Sequence, residues 1–143
     1  MKSFFVLAAL ATSALAQRIA IGIPTDRQEI PAGSNFTVEV DRPNSLTGST
    51  EVAIAIGLAS CSRFPGGSCA SLDPSELLGT ILYAGPYSPQ LSNSSKPPHQ
   101  NFTVTIPNDF PHGDASFTVS HFSLVGAGPF AFFETQNTTV QIV

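Results

Sequence analysis

The chain has 143 residues, with six Lys or Arg against ten Asp or Glu and a formal net charge of −4. The basic residues are scattered, which excludes the positive patch that nucleic acid or an anionic membrane surface requires. Two cysteines and no tryptophan further narrow the classes that the chain can join.

Residues 1–16 read as a secretory signal peptide. Lys2 supplies a positive start, residues 4–10 an apolar run, and Ala14-Leu15-Ala16 a small-residue cleavage site. A single domain over 17–143 then remains, carrying five basic and ten acidic side chains. It is large enough for a real core. No later segment is long and apolar enough to cross a membrane, so a soluble, secreted product without membrane insertion is expected. Four sequons, at Asn35, Asn93, Asn101 and Asn137, predict N-glycosylation.

In chain order, residues 18–23 alternate Ile19, Ile21 and Ile23 and predict a first strand ended by Pro24. Residues 35–40 place Phe36, Val38 and Val40 inward and Asn35, Thr37 and Glu39 outward. Residues 51–58, Glu-Val-Ala-Ile-Ala-Ile-Gly-Leu, form the most continuous apolar run. Val52, Ile54, Ile56 and Leu58 share one face and small residues fill the other, which predicts a strand buried on both sides. Gly57 and the β-branched residues argue against a helix.

Cys61 and Cys69 flank Arg63-Phe64-Pro65-Gly66-Gly67. In a secreted chain they should form a disulfide, and the Pro-Gly-Gly turn lets them meet. Their spacing fits no zinc motif. Asp73-Pro74-Ser75-Glu76 predicts one capped helical turn. Residues 78–83 read as a strand and 85–99 as a long exposed loop holding Tyr87. Residues 101–106 repeat the Phe-Val-Ile alternation. Residues 114–124 form a long strand whose phase slips between Val119 and Phe122, which predicts a bulge near His121. Residues 125–130 turn, Phe130 and Phe132 close one end of the core, and residues 138–143 supply the last strand.

The fold class predicted is all-β: a seven-stranded, two-sheet β-sandwich of immunoglobulin or fibronectin-III type. No cysteine pair bridges the sheets, so it is not an antibody-type domain.

The chemistry-bearing residues are sparse. His99, His112 and His121 have no ligand spacing, so no metal is expected. A mature start at Gln17 also disfavours the copper oxygenases that begin with histidine. No Gly-x-Ser-x-Gly elbow occurs. Asp73 with Glu76, or Asp109 with Asp114, could serve as paired carboxylates, but capping and turn formation explain them better. No cofactor motif is present, and the chain is not expected to be an enzyme.

Several segments carry a resemblance to a known family. They are residues 51–58, Leu78-Gly-Thr-Ile-Leu-Tyr-Ala-Gly-Pro-Tyr87 with Pro89-Gln-Leu91, Asn101-Phe-Thr-Val-Thr-Ile-Pro-Asn-Asp-Phe-Pro-His-Gly113, and Ser120-His-Phe-Ser-Leu-Val-Gly-Ala127. In that order and spacing the chain resembles the fungal necrosis-inducing secreted proteins. The resemblance implies a virulence effector that binds plant receptor-like or receptor-associated kinases and suppresses pattern-triggered immunity. It also implies host cell death in some plants and translocation into host cells. It brings no catalytic residues. A monomer is expected. The rival expectation is a cell-wall or carbohydrate-binding β-sandwich module, which would want exposed rings. The partner-binding candidates are Phe64 at the cysteine-loop tip, Tyr87, and Phe133.

Overall fold

The computed structural model describes residues 18–44, 47–92 and 95–143. The proposed signal peptide and the Asn93 sequon lie outside the described residues. Eight strands are present among them: β1 (Ala20–Ile23), β2 (Glu29–Ile30), β3 (Asn35–Asp41), β4 (Ser49–Ser60), β5 (Thr80–Pro86), β6 (His99–Thr105), β7 (Gly113–Val125) and β8 (Phe130–Ile142). They form two sheets, β1-β3-β6 and β2-β8-β7-β4-β5. Every pairing is antiparallel except β2 with β8.

The alternating residues meet as expected. Val38, Val40, Phe102 and Val104 from one sheet share a single core with Ile54, Ile56, Leu58, Phe117, Val119, Val140 and Ile142 from the other. The seven-strand expectation misses β2, whose two residues are too short to show a period. Ile30 is nevertheless fully buried beside Ile142. The last strand starts at Phe130, eight residues before the expected start. Its polar run Glu134-Thr135-Gln136-Asn137 hides a continuous ladder with β7.

The bulge predicted near His121 is absent from β7 and a different one lies in β4. β7 pairs with β8 without a break from Gly113 to Val125. Its inward residues simply continue through Phe117, Val119, His121 and Ser123, and Phe122 and Leu124 point outward. The irregularity is in β4, between Glu51 and Ala53. It expels Val52, which is 38% exposed, and turns Glu51 towards the interior. Val52 therefore leaves the apolar face that alternation assigned to it.

The 85–99 loop also differs from expectation. Tyr87 is buried at 1% exposure, and Gln90 bridges to His99, so the 85–99 segment is partly packed. Its Lys96 reaches both carboxylate oxygens of Glu39, at 2.7 and 2.9 Å, and Glu39 is buried although it points outward. At Asp73 the expected capped turn forms: its carboxylate accepts from Ser75 N–H at 2.9 Å and its carbonyl from Leu77 N–H at 3.1 Å, closing a single helical turn that is not continued.

Cys61 and Cys69 are joined in a disulfide. With Ala59, Leu72, Phe64 and Leu77 they make a small satellite core on the outer face of the larger sheet. Leu78 packs onto the backbone of Gly57, where any Cβ would collide with its carbonyl. This loop covers one end of that outer face and leaves the other end open.

Candidate functional site: a sealed ionic cluster behind an open aromatic face

On the inner side, the β4 bulge brings Glu51 to the ring of His121. His121 Nε2 lies 2.5 Å from Glu51 Oε2, and Nδ1 lies 3.0 Å from Glu134 Oε1. The His121 side chain is fully buried, and those of Glu51 and Glu134 are 12% and 6% exposed. Arg42 Nε donates to Glu51 Oε1 at 2.9 Å, and Ser49 Oγ donates to the same oxygen at 2.6 Å. Just before β1, Ile19 N–H donates to Glu134 Oε1 at 2.8 Å. Gln136 donates to Glu134 Oε2 at 3.3 Å. The Tyr87 ring meets the His121 ring edge-on at 5.5 Å, and its hydroxyl donates to Val40 O at 3.1 Å.

The charges follow from these contacts. Burial opposes ionisation of Glu51, but hydrogen bonds from His121, Ser49 and Arg42 outweigh it and hold the carboxyl at about 2. Burial likewise disfavours the His121 imidazolium, yet the hydrogen bonds to Glu134 and Glu51 outweigh it and raise its pKa. Burial, aided by the Glu51 charge, pushes the Tyr87 phenol far above its usual range. Each carboxylate oxygen of Glu51 and Glu134 already accepts a hydrogen bond, and both ring nitrogens of His121 are engaged. The cluster fastens strands together and offers no free base to a substrate.

On the outer side the same strands present a different surface. Phe133, Phe122, Ala53 and Pro86 form one cross-strand row over β8, β7, β4 and β5. The rings of Phe122 and Phe133 stack at 4.5 Å, nearly parallel, and Phe133 is 72% exposed. No outward position of β4 from 53 to 57, of β7 from 118 to 124, or of β8 from 131 to 137 carries an ionisable side chain. Ala84 and Ala131 extend the patch, and Phe130 stands beside it at 56% exposure. Phe130 thus lies open at the end of the core that it was expected to close.

The predicted site residues are not brought together. Phe64 is half-buried in the satellite core, Tyr87 is in the main core, and Phe133 alone of the three is open. Tyr87 is therefore corrected from a loop contact to a core residue. Asn35, Asn101 and Asn137 are exposed. The first two share the outer face of the smaller sheet, and Asn137 is on the larger, where its amide donates to Ser116 at 3.3 Å. Asp114 pairs with Arg27 at 3.0 Å and is not joined to Asp109. His99 Nδ1 donates to Pro97 O at 2.9 Å, and His112 is exposed. Among the described residues no group of three or more His, Cys, Asp or Glu is placed to hold a metal ion, and no helix is long and apolar enough to cross a membrane.

Sequence reading missed the cluster because Glu51 and His121 are 70 residues apart and the bulge that joins them leaves no local mark. The available signal was the odd pair His121 and Ser123 in the interior phase of β7.

Fold and site define a small all-β, disulfide-bonded module, with its clustered charges sealed inside and an uncharged aromatic sheet face outside. The chain belongs to the Nis1 family, whose model matches residues 14–141. A relative from Colletotrichum orbiculare, Necrosis-inducing secreted protein 1, is 30% identical over 141 residues, spanning 98% of this chain and 78% of that protein. Among solved structures, two variant forms of superoxide reductase (neelaredoxin) from Ignicoccus hospitalis are similar in chain path. One has a TM-score of 0.48 and 12% identity, covering 93% of this chain and 87% of that one. The other has a TM-score of 0.49 and 13% identity, covering 99% and 100%. At TM-scores below 0.5 these two likenesses carry nothing about function.

Proposed function

We propose that the protein is a secreted fungal effector that acts by binding a plant receptor-associated kinase, without turnover, and so suppresses pattern-triggered immunity. Necrosis in some hosts belongs to the same reading. Family membership supports it, together with the name of the Colletotrichum relative. The observation that carries the binding mode is Phe133, 72% exposed and stacked on Phe122 in an uncharged sheet face. Interface centres are depleted of charge, and a few buried aromatic anchors dominate their energy. The saturated His121 cluster supports a role without catalysis.

The reading includes export by residues 1–16, glycans on the exposed sequons, and an immunoglobulin-type sandwich. Support for that architecture comes from the strand orders and from β2, which follows β1 in the chain but pairs parallel with β8 in the other sheet.

A carbohydrate-binding module is the second reading, because a flat face with an exposed ring also suits a sugar. One experiment separates the two. The secreted chain and its Phe133→Ala variant are tested for retention on plant receptor-associated kinase domains, on chitin and on glucan. Leu91→Ala, which removes an equally exposed apolar group in the β5–β6 loop, is the control. Retention on a kinase domain, weakened at least about tenfold by Phe133→Ala and not by Leu91→Ala, is the expected result. Retention on chitin or glucan alone overturns it.

A further inference from the structure

We propose that His121 is a proton switch: as an imidazolium it ties the chain segments around it together at one end of the core, and its deprotonation loosens them. The geometry requires the charged form. Both ring nitrogens face carboxylate oxygens, Glu51 Oε2 at 2.5 Å and Glu134 Oε1 at 3.0 Å. A neutral imidazole has one N–H. Whichever tautomer it adopts, its other nitrogen then presents a lone pair to a buried carboxylate.

The groups that face His121 come from every element around it. β4 contributes Glu51 and β8 contributes Glu134. The chain after β3 contributes Arg42, which reaches the ring through Glu51, and the chain after β5 contributes Tyr87, whose ring edge meets the imidazole. The residue before β1 contributes the Ile19 amide, bonded to Glu134. A lone pair set against Glu134 or Glu51 therefore strains the anchors of β1, of the Arg42 segment and of the β4 bulge together. Among the described residues Glu134 is otherwise bonded to neutral donors, the Ile19 amide and Gln136, so these do not replace the lost charge.

The direction of the switch follows from the shifts. The pKa of His121 is raised in the fold, so its stabilisation is complete below the ordinary value of 6.5 and is lost as pH rises through the folded value. That of Glu51 is lowered, so its stabilisation is complete above the ordinary 4.5 and is lost as pH falls towards about 2. Both contributions are full together between about 4.5 and 6.5. The closed state belongs to mildly acid fluid and the loosened state to pH above the raised His121 value.

The test is an NMR titration of the wild-type secreted chain from pH 5 to 9, following the His121 ring and the Ile19 amide. Thermal unfolding is measured over the same range. The expected result has three parts. The His121 ring titrates above 6.5. Protection of the Ile19 amide, corrected for intrinsic base catalysis, falls with the same midpoint. The unfolding temperature drops by at least about 3 °C across it. In His121→Gln, or in Glu134→Gln if the first fails to fold, that drop disappears. A His121 ring that titrates at or below 6.5 overturns the switch. So does Ile19 protection that stays constant while the ring deprotonates. Both can be read on the wild-type chain alone.

Discussion

Phe117 is fully buried between the sheets and meets Phe36 edge-on at 6.5 Å between ring centroids. Phe117→Ala should destabilise the protein by about 3–5 kcal/mol in denaturant unfolding, and a loss under about 1 kcal/mol would place the ring at the surface. Tyr87 is the same case with a polar tip. Its ring is core, so Tyr87→Ala should also cost about 3–5 kcal/mol, and loss of binding in that variant reports folding rather than contact. Tyr87→Phe isolates the hydroxyl bond to Val40 and should cost about 1 kcal/mol. The burial of Phe117 was legible because its neighbours alternate cleanly. That of Tyr87 was not, because a proline-rich segment hides the packing that a bridge at Gln90 and His99 imposes on it. Phe122 misled in the opposite way. A large ring in an outward phase looks like a register error until Phe133 is found stacked on it.

β4 carries both the most readable and the least readable element of the chain. Ile54, Ile56 and Leu58 announce a buried strand, and the structure buries them. The bulge at its start has no signature in residue type, since Val52 fits an inward position as well as Ile54 does. What decides is the partner set. Glu51 gains Arg42, Ser49 and His121 by turning inward, and Val52 gives up its burial. Deleting Val52 would regularise the ladder and leave Glu51 directly before Ala53, still opposite Ser123 and turned inward to Arg42 and His121. Glu51→Ala, which leaves Arg42 and His121 without their carboxylate, should cost at least about 3 kcal/mol, as breaking a buried ion pair does, whereas Val52→Ala should cost under about 1 kcal/mol. Equal unfolding midpoints for Glu51→Ala and Val52→Ala would show that the cluster does not hold the bulge. The cysteine loop is the opposite kind of element: its disulfide is legible from turn and spacing, although the packing of Phe64 is not. Cys61→Ser with Cys69→Ser should lower stability by about 2–3 kcal/mol, and amide exchange should rise first around Leu72 and Leu77, which pack on the disulfide. Uniform loosening across both sheets would instead make the satellite core part of the main one.

At the scale of the whole molecule the two faces of the larger sheet are mechanically one object. His121 pairs with Glu134 across β7 and β8, and the adjacent pair in the ladder is Phe122 with Phe133. The ion pair points inward and the aromatic stack outward, so strain in the first is passed along the backbone of both strands to the second. If the partner docks on the stack, it favours the closed, protonated form, and binding must be linked to the proton on His121. The sign is fixed. Affinity should be highest below 6.5, where His121 is charged, and should fall as pH rises through its raised folded value. A fall of at least about fivefold in the association constant for a kinase domain is expected, at the lower end of ordinary coupling energies. Reciprocity gives a second reading of the same quantity, because the bound partner should raise the His121 titration midpoint by the matching amount. The partner's own ionisation drops out of that second measurement and out of the comparison with His121→Gln, whose affinity should carry no such step. An unmoved His121 midpoint on saturation with the kinase domain would separate the docking face from the switch, and each would then stand or fall on its own test.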